Sequence, residues 1–173
     1  MSSKKQNFRI EVKGINEVKK GLMSLGLTAR KSRTEINKSL RPAANQLARG
    51  MQKAYKKQFA SKNPGRRYNP TSKSYVFGKR TADTIGITTA RKSREPGLFV
   101  GPMAKKVNPH YWRKGASRNL AAMQIEGYYR GKKFIQYPDV FRATAERMGE
   151  QVSNKAQKDL GRLLEKMIRK AGF

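Results

Sequence analysis

The sequence predicts an α+β domain: a small antiparallel β-sheet packed by two long α-helices, with a short N-terminal helix. Three observations carry this. Ile36, Leu40, Ala44, Leu47, Met51, Tyr55 and Phe59 follow one another at steps of four and three, a single apolar stripe on a helix. Phe141, Ala145, Met148, Val152, Ala156, Leu160, Leu163, Met167 and Ala171 keep helical spacing to the end of the chain. Between and before these stripes lie short runs of β-favouring residues bounded by glycine and proline.

Phe8-Arg9-Ile10-Glu11-Val12-Lys13 alternates apolar and charged residues and reads as a strand with one buried face, ended by Gly14. Ile15-Asn16-Glu17 opens a short helix carrying Val18, Leu22 and Leu25, and Gly26 stops it. Pro42 lies within the first long stripe. Proline removes a helical hydrogen bond and clashes with the preceding turn, so the helix is expected to kink or restart there. Lys38, Arg49, Lys53 and Lys56 lie opposite the stripe.

From Ser61 to Arg80 the periodicity dissolves into prolines, glycines and basic residues, which reads as a long loop with a short ribbon at Tyr75-Val76-Phe77. Thr81 to Arg91 and Gly97 to Val100 read as a β-hairpin with Pro96-Gly97 in its turn. Residues 102–135 form a second irregular stretch, with His110, Trp112 and a basic patch of Arg113, Lys114 and Arg118. Ile125 to Tyr129 is expected as a third strand, bulged or turned at Gly127. Pro138 and Asp139 open the last helix, Lys166, Arg169 and Lys170 suit the negative end of its dipole, and Gly172 stops it. One domain spanning 1–173 is expected, with no internal repeat and no linker. Its core should include Leu47, Met51, Met148, Val152 and Leu160.

A chain of 173 residues suits a single domain and can bury roughly 70% of its unfolded surface, so it needs no staple to fold. It has no cysteine, which excludes disulfides and thiolate metal sites, and a single histidine, which excludes a His-rich cage. No apolar run approaches the ~20 residues of a membrane span, and the N-terminus lacks the apolar stretch of a secretory signal. No membrane partner is expected.

Charge dominates the composition. Forty Lys and Arg face eleven Asp and Glu, for a net charge of +29. A small soluble domain is comfortable at a magnitude of about 2–8, and larger charge repels copies and weakens the compact state. An anionic neutraliser is expected: nucleic acid, an acidic protein ring, or both. Disorder is the alternative that the mean hydropathy of −0.83 favours.

Inventory argues against an enzyme. His110 stands alone in a basic context and is expected at a surface or interface. Glu146 and Glu150 lie four apart on the last helix, a spacing able to pair carboxylates around a divalent ion, but they are expected on its solvated face. Gly131-Lys132-Lys133 lacks the spacing and the Ser or Thr of a phosphate-binding loop. No catalytic residue, metal or cofactor is assigned.

Charge placement is more informative. From Ile36 to Ala82 there are twelve basic residues and no acid. Such a block is an electrostatic footprint for phosphates or for an acidic partner. Its candidate contacts are Lys53, Lys57, Lys62, Arg66, Arg67, Lys79 and Arg80. Aromatics interleave with it or follow it: Tyr68, Tyr75, Phe77, Trp112, Tyr128 and Tyr129. They are read as anchors to neighbouring subunits, with base stacking as the alternative for Tyr68, Tyr75 and Phe77. The irregular segments 61–80 and 102–135 are expected to meet other proteins more than their own core. Nothing here is built for sequence-specific readout.

The order of elements also resembles that of the tail-completion, or neck, proteins of long-tailed bacteriophages, the head–tail joining or minor tail components. The matching pieces are VKGINEVKKGL (12–22), NKSLRPAANQLARGMQKAYK (37–56), RTADTIGITTARK (80–92), LFVGP (98–102), QIEG (124–127) and PDVFRATAERM (138–148). The family's Glu-aromatic-Gly-Thr turn is here Glu126-Gly127-Tyr128-Tyr129, and its Pro-Phe-x-Arg-Pro-Ala helix start is echoed by Val140-Phe141-Arg142-Ala143-Thr144-Ala145. The stretch 102–123 is longer than the family leads one to expect. The resemblance implies a non-enzymatic virion protein at the neck or head-proximal tail end, made in the host cytoplasm. It implies a homo-oligomeric ring around the DNA path, in contact with terminator, stopper or adaptor, and tube proteins, and non-specifically with genomic DNA. A basic structural protein of the ribosomal or chromatin-like kind is the alternative.

Overall fold

The computed structural model describes residues 8–9, 12–59, 66–69, 74–77, 81–89, 95–102, 125 and 127–172. In chain order these form β1 (Phe8–Arg9), α1 (Ile15–Ser24), α2 (Ala29–Phe59), β2 (Arg66–Asn69), β3 (Ser74–Phe77), a 3-10 turn (Thr81–Thr84), β4 (Ile85–Thr89), β5 (Leu98–Pro102), β6 (Tyr128–Arg130), β7 (Lys133–Ile135) and α3 (Val140–Lys170). The class is α+β, as the sequence predicts: two long helices and a short one against a three-stranded antiparallel sheet of order β1-β5-β4. Two separate two-stranded ribbons, β2–β3 and β6–β7, complete the described residues.

Gly14 turns the chain from β1 into α1 with φ of +78°, a conformation that costs glycine nothing. Thr28 caps α2: its Oγ1 accepts from the Lys31 N–H at 3.3 Å. The buried face of α2 carries Ile36, Leu40, Ala43, Ala44, Leu47, Ala48, Met51 and Tyr55. The helix does not restart at Pro42 but runs for 31 residues, about 46 Å at 1.5 Å each. Pro42 stands on the exposed side of the helix, as does Lys38, whose carbonyl loses its helical donor. Asp139 caps α3, its Oδ1 accepting from the Phe141 and Arg142 N–H groups at 3.1 and 3.0 Å.

The two long helices pack antiparallel. Tyr55 stacks on Phe141 with ring centroids 6.1 Å apart. Gly50 faces Thr144 and Met148, and Ser39 Oγ donates to the Asp159 carbonyl at 2.7 Å. The bare backbone of Gly50 makes room for Met148: an added Cβ would overlap its sulfur. Of the expected core, Leu47, Met51, Val152 and Leu160 are buried, and Met148 is half-buried against them. Two amides tie α2 to the sheet. Gln52 donates to the Ile85 carbonyl at 2.8 Å, and Asn37 Oδ1 accepts from Gly97 at 2.9 Å.

Three expectations need correction. Thr81–Thr84 is a 3-10 turn and not part of the strand; it tucks Ala82 and Thr84 into the core, and Thr and Asp side chains favour turn-like backbone. Ile125 is buried in the core. The strand begins only at Tyr128, because Gly127 takes a left-handed φ of +91°. That strand pairs with β7 and not with the central sheet, whose third strand is β1. The ribbon expected at Tyr75-Val76-Phe77 is present as β3, but its partner Arg66–Asn69, read as loop, is a strand as well.

Gly149 and Gly161 sit inside α3 on its exposed side, and a Cβ at either would meet nothing within 4 Å. Glycine costs a helix about 1 kcal/mol relative to alanine. The double variant Gly149→Ala/Gly161→Ala should therefore stabilise the free chain by about 1–2 kcal/mol, read as a higher urea midpoint with an unchanged slope. A lower midpoint would mean that these positions are not open.

Candidate functional site

Charge is distributed unequally between the two long helices. α2 carries nine Lys and Arg against one acid, Glu35, whereas α3 carries eight against four. Glu35 is engaged by Lys38 at 2.7 Å. Because apolar residues take one side of α2, its cations collect on the other: Arg30, Lys38, Arg41, Arg49, Lys53, Lys56 and Lys57 are all exposed. From Lys38 to Lys57 this stripe extends about 28 Å. A charged row of that length is electrostatically complementary to a polyanion.

At the N-terminal half of the stripe, α2 and the β4–β5 pair enclose an open cleft of about 450 Å³, walled by Arg33, Thr34, Lys38, Arg41, Thr89 and Leu98. The α2 wall carries Arg33, Lys38 and Arg41, cations that suit an anionic group there.

The structure places the sequence-derived candidates unevenly. Lys53 and Lys57 lie exposed on the last two turns of α2. Arg66 and Arg67 lie on β2, opposite Phe77 and Val76 of β3. The register also sets Tyr68 opposite Tyr75. Lys62, Lys79, Arg80, His110 and Trp112 lie outside the described residues. Tyr128 and Tyr129 open β6, and Tyr129 is 74% exposed. Glu146 and Glu150 are both exposed on α3. Among the described residues no three acidic or histidine side chains cluster as metal ligands, and no helix is long and apolar enough to cross a membrane.

Sequence reasoning overlooked Lys132, Lys133, Phe134 and Tyr137 as surface candidates. The structure puts the first three on a tight ribbon whose two-residue connection is Gly131-Lys132, and exposes all four. The signal was present: glycine-containing dipeptides between β-favouring runs mark hairpins.

Compared with models of known families, with curated proteins and with solved structures, the chain matches none.

Proposed function

We propose that this chain is a structural virion protein of a tailed phage, one subunit of a ring at the neck or head-proximal tail end that joins or completes the tail around the DNA path. The observation that carries the reading is the cationic face of α2, free of acids beyond the paired Glu35. A monomer at +29 repels its copies, and a ring of them needs anionic company. A DNA channel or an acidic neighbouring ring supplies it. The element order, with a short helix, a long helix, a hairpin and a long closing helix, supports the resemblance on which the neck assignment rests. In this reading the protein has no catalytic role and no cofactor. It touches its own copies, neck and tail proteins (terminator, stopper or adaptor, tube), and DNA without regard to sequence. The β2–β3 ribbon, with Tyr68, Tyr75 and Phe77 in its sequence, serves as a subunit contact.

The test is localisation. An epitope-tagged chain should appear in purified particles as a labelled ring at the head–tail junction. Its deletion should leave filled heads and tails that fail to join. Absence from particles, with recovery on ribosomes or on bulk cellular DNA, would overturn the reading in favour of a basic nucleic-acid-binding structural protein.

A further inference from the structure

We propose that the β6–β7 ribbon is a binding site for unpaired nucleic acid, with bases stacking on Tyr129 and Phe134 and phosphates meeting Lys132 and Lys133. This goes beyond the neck reading, which assigns the ribbon no nucleic acid, and concerns a surface separate from the α2 stripe.

Among the described residues, five large hydrophobic side chains are exposed, and three of them, Tyr129, Phe134 and Tyr137, lie within nine residues. Tyr129 is 74% and Phe134 49% exposed. The two rings are cross-strand partners with centroids 5.2 Å apart and planes tilted by 57°. Their placement is built in. Gly127 takes φ of +91° and the Phe134 ring lies on its bare backbone, where any Cβ would overlap the ring. A pair held this way loses little conformational freedom on binding.

The charges beside the rings are as uneconomical for a free chain as the rings are. The register sets Arg130 directly opposite Lys133, and like charges in that position destabilise a ribbon. Lys132 occupies the turn between them. No acid lies between Gly127 and Pro138, and the carboxylate of Asp139, next along, is engaged in capping α3. Tyr129 and Phe134 share one side of the ribbon, Lys133 takes the other by strand alternation, and Lys132 stands at the tip. A ligand crossing the tip therefore needs flat apolar faces and repeated negative charge together. A single nucleic-acid strand has both. A duplex keeps its base faces inside the stack, and an acidic peptide offers charge without faces.

The test measures binding of labelled 15-nucleotide single strands, matched duplexes and heparin to the full chain by fluorescence anisotropy, at several salt concentrations. Tyr129→Ala/Phe134→Ala should weaken single-strand binding by tenfold or more, since each stacked base is worth about 5- to 150-fold. Duplex and heparin binding should change less than twofold. Tyr129→Leu/Phe134→Leu keeps apolar bulk, removes the π faces and should behave like the alanine pair. Tyr129→Phe/Phe134→Tyr should retain binding. Both ring-removed variants lose the ring–ring packing, so a small fall in urea midpoint with an unchanged slope is expected and checks that the chain still folds. Equal loss for all three ligands, or no loss in either ring-removed variant, would overturn the proposal and leave the rings to a protein neighbour. Tagged-particle localisation is unaffected by either outcome, so the two readings fail separately.

Discussion

Phe141→Ala should destabilise the chain by about 3–5 kcal/mol, the usual cost of emptying a large aromatic site in a core. Phe141 is fully buried, begins α3 one residue beyond its first position, and stacks on Tyr55 near the end of α2. It is thus the point where two helices that each approach 46 Å are clamped at one end. Around it Gln58 donates to the Pro138 carbonyl at 3.4 Å and Asp139 caps the helix, so backbone and side chain are both fixed and a cavity cannot collapse cheaply. Domains of this size hold about 5–15 kcal/mol in all, so the substitution should remove a large share of the total. Ile168→Ala, 42% exposed near the far end of the same helix, should cost under about 0.5 kcal/mol. Urea midpoints of the two variants measure the difference. A Phe141 variant within about 1 kcal/mol of the parent would show that the helix pair is not joined there.

The helices were legible because their information is local. An apolar residue at every third or fourth position reports a buried side whatever it packs against, and Ile36 to Tyr55 and Phe141 to Leu160 do so without interruption. Capping at Asp139 was legible for the same reason. Strand pairing is not local. Phe8 and Val100 become neighbours across most of the chain, and nothing in either run names its partner. The 3-10 turn at Thr81–Thr84 was misread because Thr and Ile look like strand, whereas tucking Ala82 under α2 decided the backbone. For the site, charge could be counted but not aimed. Helical geometry is enough to put Arg49, Lys53 and Lys56 on one side of α2. It took the register of β6–β7 to show that Tyr129 meets Phe134 and that Arg130 opposes Lys133.

Reversing the cationic face of α2 should do far more than reversing the same amount of charge on α3. Lys53→Glu/Lys57→Glu and Lys155→Glu/Lys158→Glu each remove two exposed Lys and lower the net charge equally from +29. If long-range attraction alone governed DNA binding, the pairs would behave alike. If the α2 stripe contacts phosphates, each lost contact is worth roughly tenfold, and the slope of log affinity against log salt should fall by about 0.9 per contact. The α2 pair is then expected to bind duplex about 100-fold more weakly with a slope smaller by nearly two, while the α3 pair changes only a few-fold. Lys57 lies in the last turn of α2, where its positive charge suits the helix dipole, so that variant should also lose up to about 1 kcal/mol of stability. A urea midpoint measured alongside separates this loss from lost contact. If the proposed neck role holds, particles carry the decisive readout. The α2 variant should still assemble yet retain or pass DNA poorly. If it fails to enter particles while its binding to DNA in solution is unchanged, the face meets an acidic protein ring. Equal behaviour of the two pairs would make the charge a generic property of the surface and remove α2 as its focus.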